Sequence, residues 1–145
     1  MPRLAPIDPT DDEVAARIIA IQRRAYRIEA DLIGFDGIPG LSETVEDLRD
    51  KPLDWRGSHE DDELVGLIGW VVSGTCCDID RLAVDPDFHR RGHGRALVAS
   101  LSGFQRITVS TGAANRPAIA LYESLGFRIV GPEELPGVTI VHLER

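Results

Sequence analysis

The sequence contains no uninterrupted apolar stretch approaching the roughly 20 residues that a membrane helix needs, which excludes such a span. Met1 to Thr10 carries neither a basic region nor an apolar run, so no secretory signal is expected. Cysteine is scarce: Cys76 and Cys77 are the only two, and they are adjacent. A disulfide between neighbours is strained and staples nothing, so a reducing cytoplasm is the expected location. Two cysteines with no second pair also make a poor zinc site, and His59, His89 and His93 have no metal-ligand spacing. No metal is expected. A net charge of −8 lacks the positive field that nucleic acid demands. Acid is itself missing from one stretch. Between Phe88 and Tyr122 there is no Asp or Glu, whereas Arg90, Arg91, Arg95, Arg106 and Arg116 are all present. Such a stretch inside an acidic protein suggests a bound anion, the alternative being a chance cluster of solvated arginines.

What is present is an ordinary globular composition, 43% hydrophobic and 28% charged over 145 residues. That length reads as one domain, residues 1–145, with no repeat, low-complexity run or linker. Thr10-Asp11-Asp12-Glu13 reads as a capping box, with Thr10 as the cap. Val14, Ile18, Ile21, Ala25, Ile28 and Leu32 follow at steps of three and four, one stripe of an amphipathic helix that ends at Gly34. A shorter helix is predicted over residues 42–50, stopped by Pro52. Strands are predicted over 54–59, 64–72 and 76–84, then a helix over 92–102 and a strand over 106–110. Arg116-Pro117 opens a helix to Leu125 with Gly126 as its cap, and strands over 127–130 and 138–143 close the chain. Antiparallel hairpins followed by a βαβ crossover give an α/β (α+β) fold: a mixed central sheet of six to seven strands flanked by about four helices.

The strand ending at Val84 runs into Asp85-Pro86-Asp87-Phe88-His89-Arg90-Arg91-Gly92-His93-Gly94-Arg95. A strand, a glycine-bearing turn and a helix start present free amides and a positive dipole end to an anion. A Walker P-loop is excluded because no Lys-Ser/Thr follows the glycines. A dinucleotide fingerprint is excluded because Leu97 replaces its third glycine and no ribose-binding carboxylate follows.

Arg81-Leu82-Ala83-Val84-Asp85-Pro86 followed by His89-Arg90-Arg91-Gly92-His93-Gly94 resembles the acetyl-CoA signature Q/R-x-x-G-x-G/A of the GNAT acetyltransferases, with His89 in the place of Gln or Arg. Asn115 to Phe127 resembles that family's second block, N-x-x-A-x-x-x-Y-x-x-x-G-F. The resemblance implies that acetyl-CoA is the cofactor. It implies that the amides of Arg90, Arg91, Gly92, His93, Gly94 and Arg95 hold the pyrophosphate, with His89 beside them, and that the backbone of Leu82, Ala83 and Val84 pairs with the pantetheine arm. It further implies that Asn115 contacts CoA beside the small Ala118, and that Tyr122 protonates the departing thiolate. The alternative for Tyr122 is a core aromatic. The implied activity is N-acetyl transfer to a primary amine through a ternary complex, with a homodimer possible. An inactive acyl-CoA sensor, or an enzyme using another short acyl-CoA, would carry the same motifs.

Transfer to an amine needs a group to take a proton. By period-two alternation Asp78, Asp80, Leu82 and Val84 share a face, which directs both aspartates toward the interior or a cleft and makes them base candidates, Asp80 first. A β-bulge would change that phase, and the alternative role for Asp80 is an ion pair with Arg81. In the resembling family the acceptor pocket comes from the first two helices and their connection, here Tyr26, Glu29, Asp31, Phe35, Asp36 and the loop to Leu41. Glu29 is thus a further base or amine anchor. Trp55 and Trp70 read as packing residues. The acceptor, small cationic amine or peptide amine, stays open.

Overall fold

The structure is a computed structural model that describes residues 2–145. Its strands are β1 (Arg3–Pro6), β2 (Asp54–Glu60), β3 (Glu63–Ser73), β4 (Cys76–Val84), β5 (Arg106–Gly112), β6 (Arg128–Leu135) and β7 (Val138–Glu144). Its helices are α1 (Asp12–Ile33), α2 (Val45–Asp50), α3 (His93–Ala99) and α4 (Arg116–Ser124). All seven strands form one sheet in the order β1-β2-β3-β4-β5-β7-β6. Among the described residues only β4 and β5 run parallel, joined by the α3 crossover. The mixed sheet and four helices agree with the sequence reading, and β1 is an addition to it. Four residues ending in Pro6 are too short to show a period, and their strand state comes from pairing with β2.

Asp11, not Thr10, caps α1: its carboxylate accepts the amides of Glu13 and Val14 at 3.0 and 3.1 Å. A carboxylate also suits the positive helix end, and Thr10 is drawn instead to Asp8 at 2.7 Å. Gly34 closes the helix in the left-handed conformation, φ 68°. A capping box does form at α2, between Thr44 and Asp47.

The sheet has two cores. On one face Ile18, Ile21, Leu48 and Trp55 pack with Leu67 beneath α1 and α2. On the other, Ile68, Trp70, Leu97, Val98, Tyr122 and Leu143 pack with α3 and α4. Both tryptophans are packing residues. The predicted α1 stripe holds for Ile18 and Ile21, but Ile28 and Leu32 are 48% and 47% exposed. They face a groove rather than the core.

Strand β4 departs from strict alternation. Gly69 of β3 faces Arg81 while Trp70 faces Ile79, so Asp80 is the extra residue of a bulge. Cys77 and Ile79 join the α3/α4 core, whereas past the bulge Ala83 joins the α1 core. The common face expected for Asp78, Asp80, Leu82 and Val84 is therefore broken. Asp78 lies exposed and accepts the Thr108 hydroxyl at 2.5 Å, and the Asp80 side chain is 40% exposed. Asp78 therefore reaches neither the interior nor a cleft, whereas Asp80, though not buried, lines a cavity. Pairing of β4 with β5 stops at Ile79↔Val109. Beyond it the strands part, and the β4 edge from Asp80 to Val84 has no strand partner on that side.

Candidate active site

The parted strands open onto the turn after β4. Asp85, 2% exposed, accepts Arg17 at 2.8 Å and Arg24 at 2.6 Å, both from α1. Burial alone would raise its carboxyl, but the Asp87 amide and the two guanidiniums outweigh that and hold it below the ordinary carboxylate range. This pairing fixes the strand end against α1. Arg90 and Gly92 then adopt left-handed φ of 63° and 83°. No side chain caps α3, which leaves its first amides available to an anion.

His93 is buried beneath this turn. Its Nδ1 meets the Ser58 hydroxyl and its Nε2 meets Glu60, each at 2.6 Å. Glu60 also accepts Arg91 at 2.6 Å, and the His93 and Arg91 bonds hold its carboxyl low. Arg91 consequently lies over Phe88 rather than in the groove, unlike Arg90 and Arg95. His89 bonds the Val84 carbonyl at 3.2 Å.

A groove of about 600 Å³ runs from this turn along the free β4 edge. Its polar end is made by Arg90, Gly92, Gly94 and Arg95, and its walls by Ile28, Leu32, Leu82, Val84 and Leu121. Free amides with cations at one end, then an apolar channel beside an unpaired strand edge, fit a diphosphate carrying a long amide-containing arm. The exposed Ile28 and Leu32 thereby acquire a role. Asn115, Ala118, Leu82, Ala83 and His89 line the same groove.

The groove meets a second cavity of about 270 Å³, and Tyr26, Glu29, Leu82, Asn115 and Ala118 line both. Tyr122 lines this inner cavity, with its ring packed edge-to-face on Phe127 at 5.4 Å. Burial, then the charge of Glu29, pushes its hydroxyl above the ordinary tyrosine range, so it stays protonated at neutral pH. It is a core aromatic that also lines the cavity. Burial likewise raises Glu29, against the lowering effect of bonds from Asn115 and Thr111. Asn115 donates to Glu29 at 3.2 Å while its carbonyl oxygen caps α4 through the Ala118 amide. One side chain thus sets both the helix start and the carboxylate.

Asp80 reaches the cavity but is paired with Arg81 at 2.9 Å. Arg81 is buried and also donates to Gln22 at 2.9 Å and Glu43 at 2.5 Å. Of the residues expected around the acceptor, Tyr26 and Glu29 line the cavity with Ile38, Pro39 and Gly40. Asp31 and Asp36 instead pair with Arg27, and Phe35 packs beside Gly137. Burial pushes the Cys77 thiol up to about 11, which leaves it inert. The sequence reading missed Gln22, Glu43, Ser110 and Thr111. A glutamine among the apolar positions of α1 signals the buried network, but nothing in β5 marks Ser110 and Thr111.

Comparison with known proteins gives a consistent result. The Acetyltransferase (GNAT) family model matches residues 17–127. The UPF0157 protein YqkA of Bacillus subtilis is 37% identical over 119 residues, 79% of this chain and 35% of that protein. A ribosomal protein bS18-alanine N-acetyltransferase of Salmonella typhimurium is 50% identical over 52 residues, 32% of this chain and 35% of its own. The chain thus spans about a third of the length of these curated relatives. Two solved structures share the fold. The ribosomal-protein-S18-alanine N-acetyltransferase of Escherichia coli has TM-score 0.78 and 21% identity, covering 99% of this chain and 92% of that one. A paia N-acetyltransferase of Thermoplasma acidophilum, solved with coenzyme A, has TM-score 0.77 and 14% identity over 98% of each chain. With the family model covering most of its length, this chain belongs to the GNAT acetyltransferase family.

Proposed function

We propose that the chain transfers the acetyl group of acetyl-CoA directly to a primary amine held in the inner cavity. The observation that carries this reading is the meeting of groove and cavity at Glu29, Asn115 and Ala118, with the protonated Tyr122 lining the cavity. Bound acetyl-CoA supplies the activated acyl group. The α3 amides with Arg90 and Arg95 hold the diphosphate end, and the β4 edge at Leu82 to Val84 aligns the arm. Glu29 accepts a proton from the attacking nitrogen, since burial lifts its basicity toward neutrality. Tyr122 gives its proton to the departing thiolate. Asp80, engaged by Arg81, sets the charge at the cavity mouth rather than serving as base.

The ribosomal-protein relative makes a peptide α-amine the first acceptor to try. The two free cysteines suit a reducing cytoplasm. The test is release of CoA thiol from acetyl-CoA with an N-terminal-alanine peptide, spermidine and kanamycin. Turnover with at least one amine is expected. CoA binding with no thiol release on any of the three would instead mark an idle acyl-CoA sensor.

A further inference from the structure

Ser110 lies one residue past the last β4–β5 pair, where the parallel strands separate, and it lines the inner cavity. Its hydroxyl is 2.7 Å from Nδ1 of His142, its direct partner on β7. Nε2 of His142 is 2.7 Å from Glu133 of β6. The His142 and Glu133 side chains are 42% and 50% exposed. The chain of hydrogen bonds therefore begins at Ser110, an exposed residue that lines the cavity, crosses three strands and ends in water.

We propose that Ser110, His142 and Glu133 form a proton outlet from the acceptor cavity to solvent. The inference rests on the amine-acetylation reading and deepens it. An amine arrives at neutral pH as an ammonium and ends as an amide, so its nitrogen loses two protons. One is returned to the departing sulfur through Tyr122. The other must leave the site. Ser110 accepts that proton from the ammonium while passing its own hydroxyl proton to Nδ1. The imidazolium so formed is stabilised by Glu133 and discharges to water. No bond other than those to hydrogen changes. In the resting state Nε2–H donates to Glu133, which leaves Nδ1 free to accept.

His142 also has Glu144 two residues along β7, and that carboxylate is taken up by Arg106 of β5 and Arg128 of β6. From the cavity side the charged and titratable groups are Glu29 of α1, Lys51, and the Asp80–Arg81 pair of β4, with Tyr26 and Tyr122. Glu133 is the one that contacts the imidazole.

The test compares kcat/KM from pH 6 to 9 for the full chain and its His142→Gln and Ser110→Ala variants, using whichever of the alanine peptide, spermidine and kanamycin is turned over. Both variants should lose about tenfold or more at pH 6.5. The loss should shrink as the pH passes the amine's own pKa, about 8 for an α-amine, because the substrate then arrives already neutral. Added imidazole should restore part of the His142→Gln rate. A loss constant across pH, or none at pH 6.5, would overturn the outlet while leaving acetyl transfer intact. No turnover of any amine by the unaltered chain would overturn both.

Discussion

Two Ser–His–Glu chains occupy this molecule, and their contrast shows how position decides chemistry. Ser58, His93 and Glu60 are joined by two 2.6 Å contacts, and Ser110, His142 and Glu133 by two of 2.7 Å. Residue types and lengths match. In the first, Ser58 is fully buried and His93 is 2% exposed, so nothing can reach the hydroxyl. Its work is to bolt the turn before α3 to β2. In the second, Ser110 lines the inner cavity and the far end reaches water, so a proton can enter and leave. Hydrogen-bonded side chains alone do not define a catalytic device; access at both ends does.

The largest effect that would sharpen this contrast is at the buried chain. His93→Ala should cost about 2–3 kcal/mol of stability, because it opens a cavity and strands the Ser58 hydroxyl. Denaturant unfolding measures this, and CoA affinity should fall with it. Next comes Glu29→Gln, expected to lower kcat/KM about tenfold at neutral pH. The sign of its pH dependence follows from its raised pKa. A base must be ionised, so the unaltered chain should lose activity as pH falls through a value above the ordinary carboxylate range of about 4.3. That acid limb should vanish in the variant. The smallest effect is the stability of His142→Gln, expected to change by no more than about 0.5 kcal/mol, as for an exposed site. A stability loss there equal to that of His93→Ala would erase the distinction between the two chains.

Much of this was legible in the sequence because the decisive signals are local. Gly92 and Gly94 before a helix, and the seven-residue step from Asn115 to Tyr122, depend on backbone conformation and helical period, which neighbouring residues dictate. The β4 bounds follow from turn residues on either side. What stayed hidden depends on contacts distant in the chain. The bulge at Asp80 arises from register against β3, so alternation misplaced Asp78, while Asp80 still reaches the cavity. Asp11 replaced Thr10 as cap because Asp8 competes for the threonine hydroxyl. Ile28 and Leu32 continued the α1 stripe faithfully, but the surface they meet is a groove. Ser110 and His142 sit 32 residues apart and meet only because β7 inserts between β5 and β6.

The central claim is that the turn holds the cofactor while the inner cavity, which Tyr122 lines, performs the transfer. Steady-state turnover and CoA titration of Tyr122→Phe, run beside the unaltered chain, test it most directly. A fall in kcat of about 100-fold with CoA affinity within about twofold is the predicted result. Full kcat at neutral pH, or a loss explained entirely by weaker CoA binding, would contradict it.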